Sequence, residues 1–417
     1  VTQSWGASMR RGTNLPRVGD FNQAVILDTI RRSGDGLSRV ELVGATGLSA
    51  QTVTNICRRL LDLGLIAEAG KQSSGPGKPR TMLRLEPSGR YAVGVHLDPA
   101  VMTFVILDLA GNVVAQAQQP TPPVTDPHKI VVGTAEAISS LIGQSGLDEE
   151  RILGIGIASP GPIDSKRGEV VDPPHLLGWR NVPLRSALYE ATGLPVLIDK
   201  DVTAAAVAEM WAGGPAGTGS FVFFYLGTGV GAGVVVRDSV VRGKSDNAGE
   251  IGHFIVDPDG PMCGCGLRGC VGASCEPMAL VKEAVELGVL ESVPSGSDAR
   301  AVDRWFTVLC EYADAGDARA GQVLDRSAQR VAKAVSDIVN LLDLERVIFG
   351  GPFWSRLQGR YLRVIPPVLD AATTVRNVHG VSVVGTSVGE DVGAVGAACL
   401  VLDHSFSPRP SSLLLGT

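Results

Sequence analysis

The stretch from Gly249 to Cys270, G-E-I-G-H-F-I-V-D-P-D-G-P-M-C-G-C-G-L-R-G-C, constrains the fold more than any other part of the chain. It brings one imidazole, His253, and three thiols, Cys263, Cys265 and Cys270, together within eighteen residues. That set matches a closed tetrahedral Cys₃His zinc site, in which no coordination place is left for water or substrate. Gly264, Gly266 and Gly269 permit the tight turns that aim neighbouring sulfurs at one point. The metal is therefore expected to pin the fold rather than act as a Lewis acid. The competing reading is three buried thiols and an unrelated histidine, which the dense Cys/Gly spacing disfavours. Cys275 is near enough to substitute as a ligand; Cys57, Cys310 and Cys399 are too scattered.

A chain of 417 residues is long for one core, so two or three domains are expected. Its 44% hydrophobic content with 52 glycines suits a compact α/β protein. Seven cysteines, four of them isolated, do not form a secreted disulfide framework, and free thiolates point to a reducing cytoplasm. No basic-then-apolar leader and no apolar run of about 18 residues is present, so neither secretion nor membrane spanning is expected. The sequence begins at Val1 with Met9 shortly after, which leaves open whether residues 1–8 are native. Charge is uneven. Up to Arg90 there are 13 Lys+Arg against 7 Asp+Glu, a balance of +6, while the whole chain is at −6 and the remainder therefore at −12. A basic head on an acidic body suggests that the head alone meets a polyanion.

Residues 1–19 are polar, with Arg10, Arg11 and Arg17 among Gly, Asn and Pro, and read as a flexible basic arm, either phosphate-contacting or simply solvated. Phe21, Val25, Leu27 and Ile30 recur near helical spacing as far as Arg32, and Gly34 and Gly36 end that helix. Ser38, with Glu41 as its capping-box partner, starts a short helix through Thr46. Gly47 turns the chain, and Ser49 caps a third helix that ends at Gly64. This is a helix-turn-helix pattern. Val40, Val43, Leu48, Val53, Ile56 and Leu60 are expected inward, and Gln51, Thr52, Asn55, Arg58 and Arg59 outward. Short amides and hydroxyls near a helix start suit base edges in the major groove; arginines further along suit phosphates. The segment E-A-G-K-Q-S-S-G-P-G-K-P-R-T-M-L-R-L then reads as strand, loop, strand. That makes a wing offering Lys71, Lys78 and Arg80 to the DNA backbone or minor groove. A three-helix protein-interaction module is the alternative, against which basic charge on both helix and wing argues.

Beyond Glu86 strands and helices alternate. Apolar strands are expected at Tyr91–Leu97, Val101–Leu107, Val113–Gln118, Ile152–Ala158, Pro195–Ile198, Phe221–Tyr225 and Arg346–Phe349, with helices after Pro127, from Asp201, and through most of 274–343. Repeated strand, tight loop, helix units imply mixed or parallel sheets and a cleft between two lobes.

From Tyr91 to about Leu402, roughly three quarters of its length, the chain resembles the ROK family of sugar kinases and sugar-responsive repressors. The specific part is the glycine turn 226–233, the E-x-G-H at Glu250–His253 and the C-x-C-G-x-x-G-C at 263–270. The helix-turn-helix head followed by Gly77-Lys78-Pro79 is similar to the repressor branch, which includes xylose and N-acetylglucosamine repressors. The resemblance implies an actin-like, ribonuclease-H-type α/β sensor of two lobes behind an N-terminal winged helix-turn-helix. The expected divisions are the arm 1–19, the head 20–87, a first lobe of 88–200 plus 387–404, a second lobe of 201–386 with the zinc site, and a flexible tail 405–417.

The resemblance also assigns roles. Kinases of the family open their first lobe with D-x-G-G-T, whose glycines let backbone amides approach ATP phosphates. Here that place holds His96-Leu97-Asp98-Pro99-Ala100. Both glycines are gone, Pro99 has no N–H, and Asp98 would repel phosphate. A non-enzyme is implied, with Asp201 of the Lys200-Asp201 pair as a vestigial base still able to accept a sugar hydroxyl. Glu250 and His253 fall at the family's sugar-contacting pair, His253 turning one ring nitrogen to the metal and the other to the ligand. Gly272 stands where the family usually has a sugar-binding Glu, Lys200 replaces an Asn, and His175 replaces an Asn before Gly178-Trp179. Several alternatives stay open. In these, Asp201 only caps its helix, Glu250 pairs with a nearby cation, and the turn 226–233 persists because its backbone needs φ > 0. Lys200 is either neutralised by Asp199 or reads an acidic ligand such as a sugar phosphate.

The expected function is a cytoplasmic transcriptional regulator, a repressor, that binds double-stranded operator DNA as a homodimer or homotetramer and responds to a sugar or sugar-phosphate effector. Its expected cofactor is structural zinc, and no membrane is involved. Two alternatives are carried: an ATP-dependent sugar kinase with a DNA-binding head, and a DNA-binding protein whose sensor docks another protein.

Overall fold

The computed structural model describes residues 15–72, 79–122, 126–174, 176, 178–295, 298–374 and 377–408. Of these, residues up to 91, with 108–110 and 402–408, form one compact unit, and the rest form the other.

The first unit begins with helix α1 (Leu15–Arg32), so residues 15–19 are helical and the expected arm is shorter than its limit at 19. Pro16, within the stretch read as an arm, is compatible with the first turn of a helix, where its missing N–H has no partner to lose. The two-residue strand β1 (Leu37–Ser38), α2 (Arg39–Thr46), α3 (Ala50–Asp62), β2 (Ile66–Gln72) and β3 (Arg80–Leu85) follow, the strands pairing antiparallel in the order β1-β3-β2. The capping box forms: the Ser38 N–H donates to Glu41 Oε2 at 2.8 Å, and Ser38 Oγ accepts from the Glu41 N–H at 3.4 Å. Ser49 caps α3 by accepting from the Thr52 N–H at 3.2 Å. Ile26, Leu27, Ile30, Leu42, Val53, Cys57 and Leu60 are buried. Val40, expected inward, is 60% exposed, and Leu42 takes its place. Residues two apart on a helix point about 200° apart, so burying Leu42 turns Val40 outward.

Of the elements lying wholly or mostly in the second unit, β4 (Tyr91–Leu97), β5 (Val101–Asp108), β6 (Val113–Pro120), α4 (Pro127–Ser145), β7 (Ile152–Ser159), the short pair β8 (Ile163–Asp164) and β9 (Glu169–Val170), α5 (Leu184–Thr192) and β10 (Val196–Lys200) come first. Their main sheet has the order β10-β7-β4-β5-β6, parallel between β10 and β7 and antiparallel between β5 and β6. Then come α6 (Asp201–Ala212), β11 (Phe221–Leu226), β12 (Val230–Val236), β13 (Ser239–Val240), α7 (Val271–Cys275), α8 (Pro277–Glu286), α9 (Ala299–Asp314), α10 (Ala318–Leu342), β14 (Arg346–Gly350), α11 (Trp354–Ala372), β15 (Ser382–Gly385) and α12 (Val392–Phe406). The second sheet runs β13-β12-β11-β14-β15, antiparallel at β11–β12 and parallel at β11–β14 and β14–β15. One face packs on α7–α11 through Phe224, Phe306, Phe349, Trp354 and Tyr361. Helix α12 runs to Phe406, so the tail expected from 405 begins later than that.

The glycine stretch 226–233 is not one turn. Only 227–229 turn; Val230–Val236 is strand β12, paired with β11. Gly227, Gly231 and Gly233 do not adopt positive φ. Close packing explains Gly233 instead: a Cβ there would lie 2.2 Å from the Val202 carbonyl oxygen of α6. Gly233→Ala must push that helix off the sheet and is expected to destabilise the protein by about 1–3 kcal/mol, read as a lower midpoint in urea at unchanged slope.

Candidate functional site

The ends of both sheets and the loop before α7 line one cavity of about 600 Å³. Its wall takes Asp98 and Pro99 from the end of β4, Lys200 and Asp201 from the β10–α6 junction, Tyr225 and Thr228 from the end of β11, and Glu250, His253 and Glu276 from beyond β13. Asp201 is the first residue of α6, and its Oδ1 accepts from the Val202 N–H at 2.7 Å. It therefore both holds the helix start and lines the cavity. Burial pushes its carboxyl up, the Asp98 charge adding to this while His96, the Val202 N–H and Lys200 oppose it.

Lys200 is buried, and Asp199 does not neutralise it. Asp199 pairs instead with Arg242 at 2.9 Å, and Lys200 Nζ lies 3.4 Å from Glu250 Oε2, within 3.5 Å of the Asn247 and Ala248 carbonyls. The nearby cation foreseen for Glu250 is thus Lys200. Asn247 holds this segment against β8: its Oδ1 accepts from the Ile163 N–H at 2.9 Å, and its Nδ2 donates to the Ile163 carbonyl at 2.8 Å.

At the end of β4, the Asp98 carboxylate accepts from the Ala100 N–H at 2.8 Å and, on its other oxygen, from Thr228 Oγ1 at 3.4 Å. The Ala100 N–H is thereby committed to a carboxylate of its own turn. His96 is buried, 3.4 Å from the Tyr225 hydroxyl through Nε2, and its ring lies 2.8 Å from where a Cβ on Gly393 would stand. Burial, then the Asp201 and Asp98 charges, hold the Tyr225 phenol well above its ordinary range, so it stays a neutral hydroxyl.

His253, Cys263, Cys265 and Cys270 bring their ligand atoms within 4.8 Å of one another and could hold a metal ion. Cys263 Sγ is 3.5 Å from His253 Nδ1, and Cys265 Sγ is 3.6 Å from Cys270 Sγ. A tetrahedron with bonds of about 2.3 Å to sulfur and 2.0 Å to nitrogen has edges of roughly 3.5–3.8 Å. The two short separations match edges of such a site, and all four donor atoms lie close enough together to surround one ion. Gly269 makes the loop possible, since its φ is 66° and a Cβ would run into the Asp257 carbonyl. Arg330 of α10 ties the same loop to α8, with two bonds to Asp257 Oδ2 at 3.0 and 2.8 Å and one to Glu283 Oε2 of α8 at 2.9 Å. Cys275 is buried outside the cluster.

On the first unit, Gln51, Asn55, Arg58 and Arg59 are exposed on α3 and Thr52 is half-buried. Gln51 Nε2 donates to Asn55 Oδ1 at 3.1 Å, and Thr52 Oγ1 lies 2.9 Å from Ser49 Oγ. On the wing, Lys71 and Arg80 are exposed at adjoining register positions. Lys78 and His175 lie outside the described residues.

Two cavity residues escaped the sequence reading. Tyr225 looked like one more apolar strand position. Glu276 had no motif to mark it, yet burial and then the Glu250 charge push its carboxyl up to about 7. The only hint was a carboxylate one helical turn after the glycine that replaces an expected one.

Among the described residues no helix is long and apolar enough to cross a membrane. The ROK family model matches residues 92–404. The glucokinase of Halalkalibacterium halodurans is 31% identical over 325 residues, covering 77% of this chain and 97% of its own. The xylose repressor of Bacillus subtilis is 26% identical over 398 residues, covering 93% of this chain and 96% of its own. Among solved structures, a ROK family transcriptional regulator, homologue of the E. coli MLC protein, superposes with a TM-score of 0.75 at 23% identity, over 94% of this chain and 97% of its own. The kinase match therefore leaves about a quarter of this chain unaccounted for, whereas both regulator matches extend over nearly all of it.

Proposed function

The chain belongs to the ROK family, with the actin-like α/β fold of its kinases and regulators, and from that premise we propose that it is a sugar-responsive transcriptional repressor and not a kinase. The observation that carries the choice is the turn at Asp98–Ala100, whose carboxylate occupies the amide a nucleotide phosphate would need. Phosphoryl transfer is mostly positioning and charge neutralisation, and this strand end supplies repulsion instead. The effector, a sugar or sugar derivative, sits in the cavity of Lys200, Asp201, Glu250 and His253, and the family resemblance adds His175 as a ligand contact. The Cys/His cluster binds structural zinc through His253 Nδ1, which leaves Nε2 for the ligand. The divisions at 20–87, 88–200 with 387–404, and 201–386 correspond to head and two lobes. Gln51, Thr52 and Asn55 read bases while Arg58, Arg59, Lys71, Lys78 and Arg80 hold phosphates. The protein works in a reducing cytoplasm as a dimer or dimer of dimers, because one head binds weakly, and paired half-sites lie about 10 bp or a multiple apart. A ligand that prefers the DNA-incompetent form a hundredfold supplies roughly 2.7 kcal/mol of coupling.

Asp201 in the cavity and the glucokinase relative favour the kinase as second reading. Selection of binding sites from random duplex DNA, followed by a coupled assay with ATP, Mg²⁺ and hexoses, separates the two. The expected result is an enriched inverted repeat and no ADP formed. Turnover that Asp201→Asn abolishes would overturn the proposal.

A further inference from the structure

Resting on the reading of the cavity as a sugar site, we propose that Glu276 is a specificity-determining residue which, with Glu250, reads the hydroxyls of an unphosphorylated sugar, so that the free sugar and not its phosphate ester is the effector.

Glu276 stands at the junction of α7 and α8. Its backbone serves both helices: the N–H donates to the Gly272 carbonyl at 3.2 Å, and the carbonyl accepts from the Ala279 and Leu280 N–H groups at 2.8 and 3.1 Å. Its side chain caps neither helix. The carboxyl instead folds back over Gly272, where a Cβ would lie 2.7 Å from Glu276 Oε1. The Gly272 N–H donates to the Gly252 carbonyl at 2.9 Å, and Glu250 Oε1 stands 3.5 Å from the Cβ position of Gly252. The two carboxyls thus flank one backbone crossing in the cavity wall. Among the described residues Glu276's carboxyl has no hydrogen-bond or ion-pair partner of its own.

A carboxyl that lines the cavity with no protein partner of its own is open to a ligand, and a sugar hydroxyl is the neutral group that both donates and accepts. Burial and then the neighbouring Glu250 charge raise its carboxyl to about 7, which disfavours a second negative group beside it. The cavity's ammonium, Lys200, is already engaged by Glu250 and two carbonyls, and Asp98 offers a further carboxylate on the same wall. A phosphate ester would add about two negative charges there, and among the described lining residues no Lys or Arg other than Lys200 stands to meet them.

The test is calorimetric titration of the full-length protein with glucose, mannose, xylose and N-acetylglucosamine, and with the 6-phosphates of the three hexoses. The expected result is that a free sugar binds and its 6-phosphate binds about tenfold more weakly or worse. Glu276→Gln, nearly isosteric, is expected to lose about tenfold in sugar affinity. Gly272→Ala keeps the carboxyl but crowds its end, and should lose about threefold. Both variants should keep wild-type melting and metal content, and the second keeps the test decisive if the first misfolds. A 6-phosphate bound more tightly than its free sugar overturns the proposal. So does wild-type sugar affinity in both variants, which leaves the sugar site intact and removes Glu276 from it. Failure of every sugar and phosphate to bind the wild type sinks the sugar site itself, and this proposal with it.

Discussion

Cys265→Ser is expected to release one zinc ion per chain and to lower the melting temperature by roughly 10 °C, the scale of a lost structural metal ligand in a domain of this size. Cys265 is the informative ligand to change because it is exposed, whereas Cys270 is fully buried. Serine at 265 removes a sulfur without opening a hole in the core, so a fall in melting temperature reports the metal. Besides the metal, the loop is held by the Arg330–Asp257 clamp, by backbone bonds such as Cys263 N–H to the Leu267 carbonyl at 2.8 Å, and by the tight turn at Gly269. Proton release gives an independent signature. The Leu267 N–H draws the Cys265 thiol down, while burial pushes the Cys270 thiol up to about 12. Zinc entering at neutral pH must displace the Cys270 proton, so metal affinity rises with pH and protons appear in the buffer on binding. An unchanged melting curve in the variant, with no metal in the purified wild type, removes the zinc claim.

The head should divide under mutation into two kinds of residue. Arg58→Ala is expected to weaken operator and random DNA alike, and to make the salt dependence shallower by about two in log–log slope for a dimer, one phosphate contact per copy. Asn55→Ala is expected to cost roughly 1–3 kcal/mol on the operator for each lost bidentate base contact and little on random DNA. Gln51→Ala should follow Asn55→Ala, because Gln51 holds the Asn55 amide from one turn away. Fluorescence anisotropy on both DNAs across a salt series measures all three. Equal losses on operator and random DNA for Asn55→Ala would show that α3 is not the reading helix.

These contrasts mark where the sequence was sufficient. The cap at Ser38, the turn at Gly47 and the ligand spacing of Cys263, Cys265 and Cys270 each act over a few residues, and each formed as read. Val40 failed because the apolar pattern of an eight-residue helix leaves its phase open, and packing against α1 and α3 chose Leu42. The stretch 226–233 failed differently. Its glycines looked like turn formers, but the tightest of them, Gly233, answers to a carbonyl on α6 that no local pattern reveals.

What the sequence determined by itself was the pair of local devices, a winged helix-turn-helix and a Cys₃His loop, together with the family's two-sheet body. Only the tertiary structure decided the character of the cavity. It paired Lys200 with Glu250, fifty residues on, set His96 against Tyr225, 129 residues on, and folded Glu276 over Gly272. Caps, turns and thiol spacing are settled within a turn or a loop, by sterics the chain carries with it. Which charges meet, and which carboxyl is left to find its partner in a ligand, depends on where distant strand ends converge.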